Sequence, residues 1–211
     1  WTSLEKNVPG VPANTWIPHI RASKLDAASA FVIFDNHRRA DFTPYVYRTD
    51  DWGKTWKSLA TRDLRGYALS IEQDPGDKDL LFLGTELGLW VSFDAGKSWQ
   101  PWKHGVPTAS VMDLVIHPRD LDLVIGTHGR AIYVLDDITP LEQATPATTD
   151  AAAHLFTPRP AYRWSQRSRA LIDYSLKSDP RTPVQLQVLD SDGKVVRDVR
   201  SLVEHANFLN S

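Results

Sequence analysis

Thr49-Asp50-Asp51-Trp52-Gly53-Lys54-Thr55-Trp56 is followed further along the chain by Ser92-Phe93-Asp94-Ala95-Gly96-Lys97-Ser98-Trp99. Both satisfy Ser/Thr-x-Asp-x-Gly-x-Ser/Thr-Trp, and each position has a physical role. The Asp carboxylate accepts hydrogen bonds from backbone N–H groups just downstream and closes a tight turn. The Gly adopts a positive φ that a side chain would penalise. The hydroxyl residue ties the two arms of the turn together. The Trp covers a large apolar area and fixes the turn against its surroundings. Two matches to so long a pattern, each between strand-like runs, make chance a poor explanation.

The repeat extends beyond the motif. Asp51, Asp94 and Asp137 recur at an interval of about 43 residues. Leu80–Val91 aligns with Leu123–Val134, and Asp74-Pro75 aligns with His117-Pro118. An earlier copy runs through Ala30–Phe34 and Tyr45–Arg48. Each repeat is predicted to hold four strands. The first strands are Trp16–Ala22, Tyr67–Gln73 and Val111–His117. The second are Ala30–Phe34, Leu80–Gly84 and Leu123–Gly126. The third are Tyr45–Thr49, Leu89–Phe93 and Ala131–Leu135. The fourth are Thr55–Leu59 and Ser98–Trp102. The third repeat has Ile138-Thr139-Pro140 where a fourth strand would begin, so that strand is degenerate or supplied from elsewhere. A period of about 40–45 residues with four short strands is the signature of a β-propeller blade.

The fold class expected is therefore all-β: about three blades of a larger propeller over residues 1–141. A Thr/Ala/Pro-rich linker and clamp follows over 142–165, and then, over 166–211, the start of an Ig-like β-sandwich. Trp1-Thr2-Ser3-Leu4 aligns with Trp56–Leu59, which places Trp1 at the end of a preceding motif and makes residues 1–4 an outer strand. The remaining propeller blades, on the same protein or another chain, are thus expected partners. Val184–Leu189 and Lys194–Val199 flank Asp190-Ser191-Asp192-Gly193. That run is read as a hairpin turn and not a calcium loop, because the further ligands are missing.

Composition narrows the function classes. The 211 residues carry 24 Lys plus Arg against 26 Asp plus Glu, which gives no electrostatic signature of nucleic-acid binding. No apolar run is long enough for a membrane span. With no cysteine there is neither a disulfide nor a zinc–thiolate site. No cofactor or metal is expected.

The motif is the Asp box, and residues 1–141 resemble the C-terminal blades of sortilin-type and neuraminidase-repeat propellers of large exported bacterial proteins. Tyr47–Trp56, Leu83-Gly84-Thr85-Glu86 and Gly126-Thr127-His128-Gly129-Arg130 carry the resemblance. It implies a secreted, periplasmic or cell-surface setting. It also implies ligand binding on the face opposite the Asp boxes. The box residues Thr49, Asp51, Gly53, Thr55 and Trp56, with Ser92, Asp94, Gly96, Ser98 and Trp99, are then structural. The opposite face is built by loops between second and third strands, which supply Asp35, His37, Arg38, Arg39, Asp41, Glu86, His128 and Arg130 as candidate ligand-binding residues. Arg62, Asp63, Arg65 and His104 approach from the connections between repeats. The expected activity is recognition of a peptide, protein or glycan. The alternative is a polysaccharide-active glycoside hydrolase of the xyloglucanase or sialidase type, which would need a carboxyl pair about 5–10 Å apart. Arg21, Arg48 and Arg130 show no local pattern of a sialidase arginine cluster.

Overall fold

A computed structural model describes residues 2–161, 171–180 and 182–200. The chain divides into two compact units, Trp1–Glu142 and Gln143–Ser211.

In the first unit each repeat becomes an antiparallel sheet. The first holds β1 (Trp16–Ala22), β2 (Ala30–Asp35), β3 (Tyr45–Thr49) and β4 (Lys57–Ser58), in that spatial order. The second holds β5 (Ala68–Gln73), β6 (Leu81–Thr85), β7 (Gly88–Ser92) and β8 (Gln100–Pro101) in the same order. The third has β9 (Val111–Ile116), β10 (Leu123–Thr127) and β11 (Ile132–Leu135). Helix α1 (Thr139–Glu142) starts where its fourth strand would run. These are propeller blades. The outer strands β4 and β8 are shorter than expected, and one further bond past each, Leu59 N–H to Val46 O and Trp102 N–H to Leu89 O, ends the pairing.

The core lies between the blades. Phe31, Ile33 and Val46 of the first blade meet Ile71, Leu81, Leu83 and Trp90 of the second. On the second blade's other face, Leu80, Phe82, Leu89 and Val91 meet Val111, Leu114, Leu123 and Ile125 of the third. The middle blade is buried on both faces, so β5, β6 and β7 are buried along their whole length, whereas β9 mixes buried and exposed positions. A polar bond crosses the innermost strands. Arg21 on β1 pairs with Glu72 on β5 at 2.8 Å and donates to Leu114 O on β9 at 3.1 Å. Lys24 also reaches Glu72, at 3.1 Å. Glu72 is fully enclosed, and a carboxylate in that position needs such cations.

The segment expected as an outer strand at the N-terminus is unpaired among the described residues. Trp1 lies outside the described residues, 2–4 join no ladder, and Glu5–Asn7 is a single 3-10 turn. Leu4 nevertheless takes the position the alignment assigns it. It packs over Gly53 as Leu59 packs over Gly96, with Cδ1 atoms 2.6 and 3.1 Å from where a Cβ would be.

In the second unit, part of the expected linker is helix α2 (Pro146–Asp150), capped by Thr145, which accepts from the Thr148 N–H while Thr148 Oγ1 accepts from the Thr145 N–H. Strand β12 (Ala153–Leu155) pairs with β13 (Tyr174–Leu176), and β14 (Gln185–Leu189) pairs with β15 (Val195–Arg200). The turn between β14 and β15 uses Asp190 Oδ1 to accept the N–H groups of Asp192 and Lys194, so that carboxylate is engaged by its own backbone. Among the described residues these are two separate two-stranded ribbons. The start of the strand expected from Ala170, and the end of the module near Ser211, fall outside the described residues.

Candidate functional site

The two ends of each blade are built differently. At one end, the turn between the first two strands is bonded to the turn that follows the third. Trp52 N–H donates to Ala28 O at 3.0 Å, Ala95 N–H to Asp79 O at 2.9 Å, and Ile138 N–H to Leu121 O at 2.9 Å. The two motifs lie at this end with matching bonds. Asp51 Oδ1 accepts from Thr55 N–H at 2.9 Å and Oδ2 from the Thr55 hydroxyl at 2.6 Å; Asp94 accepts from Ser98 at the same two distances. Thr49 and Ser92 each accept from the motif glycine. These donors hold the Asp51 carboxyl down at about 2, chiefly through the Thr55 hydroxyl and N–H. Burial opposes the effect at Asp94, but Ser98 and Ser92 outweigh it and its pKa is still lowered. Both carboxylate oxygens of Asp51 and of Asp94 are therefore committed to their own turns.

The opposite end carries the other candidates. Each innermost strand bulges here: β1 between Trp16 and His19, β5 between Ala68 and Ser70, and the β9–β10 register between Gly126 and Thr127. Bulges re-aim side chains at strand ends. The residues opposite them are Asp35, Thr85 and Thr127. Thr85 and Thr127 spend their hydroxyls closing local turns, on Gly88 O and Ala131 O. In the first blade the place is taken by Asp35, 9% exposed, and its carboxylate lies 2.7 Å from His37 Nδ1. With Nδ1–H donating to Asp35, Nε2 is left as the second polar atom of the ring.

The His37 ring stacks on Tyr67 of the next blade, 4.4 Å between centroids and 14° from parallel, and Phe42 flanks the same ring at 6.2 Å. Burial raises the Tyr67 phenol, and the charges of Glu86 and Asp35 raise it further. The rim continues by backbone bonds: Glu86 N–H to Tyr67 O, and His128 N–H to Ser110 O, with the Ser110 hydroxyl on Glu86 O. Asp35, His37, Tyr67 and Glu86 thus form one cluster, with His128 one blade further along.

The other candidates divide by task. Asp41 braces its loop. It accepts from Asn36 Nδ2 and the Tyr45 hydroxyl, both at 2.9 Å, and Asn36 with Thr43 holds it down at about 2. Arg39 donates to Ala13 O and Asn14 O, each at 3.0 Å, and anchors the segment before β1. Arg38 lines a cleft of about 510 Å³ with Trp16, Asn14, Thr15 and Asp35. His128 and Arg130 are exposed on the rim, as are Arg62, Asp63 and Arg65. Arg21 and Arg48 are bound elsewhere, to Glu72 and Asp50, and do not gather with Arg130. Tyr67 is the residue the sequence reading missed as a site element. An aromatic ring placed directly after Gly66, at the mouth of the connection between repeats, was the available signal.

Comparison with known proteins gives a family profile described as sortilin, neurotensin receptor 3, which matches residues 44–175. Among curated proteins, vacuolar protein sorting/targeting protein 10 of Phaeosphaeria nodorum is 27% identical over 169 residues, covering 77% of this chain and 11% of that protein. Its Mycosarcoma maydis counterpart is 39% identical over 66 residues, covering 31% of this chain and 4% of that protein. The chain therefore spans about a tenth or less of the length of these relatives. Among solved structures, a GH74 enzyme of Niastella koreensis overlaps 57% of this chain and 21% of its own, at TM-score 0.49 and 19% identity. YCF48 bound to D1 peptide overlaps 60% of this chain and 38% of its own, at TM-score 0.43 and 15% identity. Overlaps this loose do not bear on function.

Proposed function

The chain belongs to the sortilin family, and from that premise we propose that its blades form part of a binding propeller that recognises a peptide or protein on the rim of Asp35, His37, Tyr67, Glu86, His128 and Arg130. The observation that carries this reading is the substitution at one repeated position. Where two blades keep a turn-closing threonine, the first places a buried Asp under a histidine stacked on the neighbouring blade's tyrosine. A buried charge maintained beside a rim loop is characteristic of a site more than of a brace. The glycoside-hydrolase reading is less supported. Asp35 and Asp41 are both engaged by their own loop, and among the described residues the one carboxyl with a strongly raised pKa, Glu142, lies at the blades' other end.

Other blades of a longer protein are the second proposed partner. The first blade's outer row of Ile17, Ile20, Val32 and Phe34 lines an apolar groove of about 700 Å³. The third leaves Val115, Ile132 and Val134 exposed. The matching rows of the middle blade are sealed by its neighbours. An extracytoplasmic location fits the family. The relatives named above are fungal, so the bacterial source first expected gains nothing from them. No helix among the described residues is long and apolar enough to cross a membrane.

The test is binding of neurotensin, the peptide named in the family description, and of xyloglucan to the intact protein by calorimetry. Peptide binding lost in His37→Ala and in Arg130→Ala, with melting temperatures near wild type, is the expected result. Release of reducing sugar from xyloglucan, abolished by Asp35→Asn, would replace recognition with hydrolysis.

A further inference from the structure

At the motif end of the second blade, the β5–β6 turn contains a fully buried carboxylate, Asp74. Its Oδ1 accepts the N–H groups of Gly76 and Asp77, each at 2.7 Å. Its Oδ2 is equally buried and meets no hydrogen-bond partner among the described residues. An anionic oxygen left so would be among the most costly groups in the fold. The group beside it is another acid, Glu142, the last residue of α1. Gly76 makes the approach possible: a Cβ there would lie 3.0 Å from Glu142 Oε1 and 3.4 Å from Asp74 Oδ1.

We propose that Asp74 and Glu142 share one proton, and that this carboxyl–carboxylate bond pins the Thr139–Glu142 turn to the second blade. Glu142 carries the proton and donates it to Asp74 Oδ2. Two adjacent carboxylates resist ionising together, so one holds its proton up to about neutral pH and supplies the missing donor. Burial raises Glu142 to about 7, helped by the charge and hydrogen bond of Asp74 and by the charges of Asp77 and Asp137. Asp77 faces the pair from the β5–β6 turn. Asp137 faces it from the segment after β11, where its N–H is held by Asp122 Oδ1 at 3.0 Å. The surrounding charges that act on Glu142 are thus acidic. No three acidic or histidine groups among the described residues are arranged to hold a metal ion.

The sign follows from which state holds the proton. Glu142 binds it more tightly folded than unfolded, so the bond is complete in acid and weakens as pH rises through about 7. The segment 137–142 is then a catch that closes on acidification, at the point where the chain leaves the first unit.

Two measurements on the whole chain test it between about pH 5 and about pH 9. The first is the infrared carbonyl band of a neutral carboxyl group. It is expected to disappear with a midpoint near neutrality in the wild type and to be missing in Glu142→Gln. The second is amide hydrogen exchange at Gly76, Asp77 and Leu141, corrected for the intrinsic rate. Protection is expected to fall about tenfold or more across that midpoint in the wild type. It should stay high in Glu142→Gln, whose amide N–H replaces the shared proton. Should that variant not fold, Asp74→Asn serves, and the Glu142 midpoint should drop toward the ordinary carboxylate range. A neutral-carboxyl titration that survives Glu142→Gln, or wild-type protection that does not change with pH, overturns the proposal. A midpoint moved by millimolar calcium chloride also overturns it, since the pair would then be a cation site.

Discussion

The first and second blades contain nearly the same motif, and their tryptophans end differently. Trp99 is buried and its Nε1–H donates to Leu59 O of the preceding blade at 2.8 Å. Trp56, its counterpart, packs beside Val32, Phe34 and Tyr47, but its Nε1–H is buried and meets no acceptor among the described residues. The hydroxyl–carboxylate bonds of the two turns agree within about 0.1 Å. The motif thus has two parts. Its Asp and hydroxyl groups satisfy themselves within the turn. Its Trp is a cross-blade donor whose partner is a carbonyl on the preceding outer strand. The same eight-position pattern gives one completed contact and one open contact, depending on its neighbour.

The comparison is broken most strongly by uncoupling the blades. Arg21→Met leaves Glu72 buried with only Lys24 beside it, and a loss of about 3 kcal/mol is expected in denaturant unfolding. A change below about 0.5 kcal/mol would mean that water, not Arg21, satisfies Glu72. Next comes Asp94→Ala, which leaves the N–H of Ser98 and both serine hydroxyls without their acceptor and is expected to lower stability by about 1–3 kcal/mol. Asp51→Ala should act in the same direction and more weakly, because its turn is more exposed.

The tryptophans sharpen the contrast. Trp99→Phe removes a satisfied donor and strands Leu59 O, at a cost of about 1 kcal/mol. Trp56→Phe removes an unsatisfied donor and should leave the thermal midpoint unchanged or raise it slightly. Equal losses in the two variants would show that Trp56 also has an acceptor in solution.

The smallest effect is on pH dependence. Asp51 and Asp94 both titrate below the ordinary carboxylate value. Their contribution is present above that value, about 4, and is lost as pH falls toward the folded value, about 2 for Asp51. Stability measured from pH 5 downward should fall less steeply in Asp51→Asn than in wild type; an unchanged slope would place the acid sensitivity elsewhere.

How much of this was legible in the sequence depended on the range of the interaction. The inner and middle strands of all three blades were placed within a residue or two, because alternation, β-branched residues and the motif turns are local signals. Residues 2–4 join no ladder for a non-local reason: a ladder needs a neighbouring strand. In the same way, α2 was overlooked because Thr145-Pro146 and Thr148 make a cap within a stretch whose composition reads as linker. At the rim, Asp35 and His37 could be named as an insertion carrying titratable groups. Their pairing with each other, and the stacking of His37 on Tyr67, could not, because Tyr67 arrives from another blade.

The sequence by itself determined the repeat, the strand order within each blade and the self-contained turn chemistry of Asp51 and Asp94. In those two turns the donor and acceptor lie within about five residues of one another, so the chain cannot avoid bringing them together; in each blade the strands follow one another as hairpins. Only the tertiary structure decided which carboxylates are engaged by their own turn and which act across blades. Glu72 meets Arg21, Asp74 meets Glu142, and His37 meets Tyr67 only after the sheets pack. Each of these partners is far away along the chain, and burial sets the strength of their coupling once the faces close.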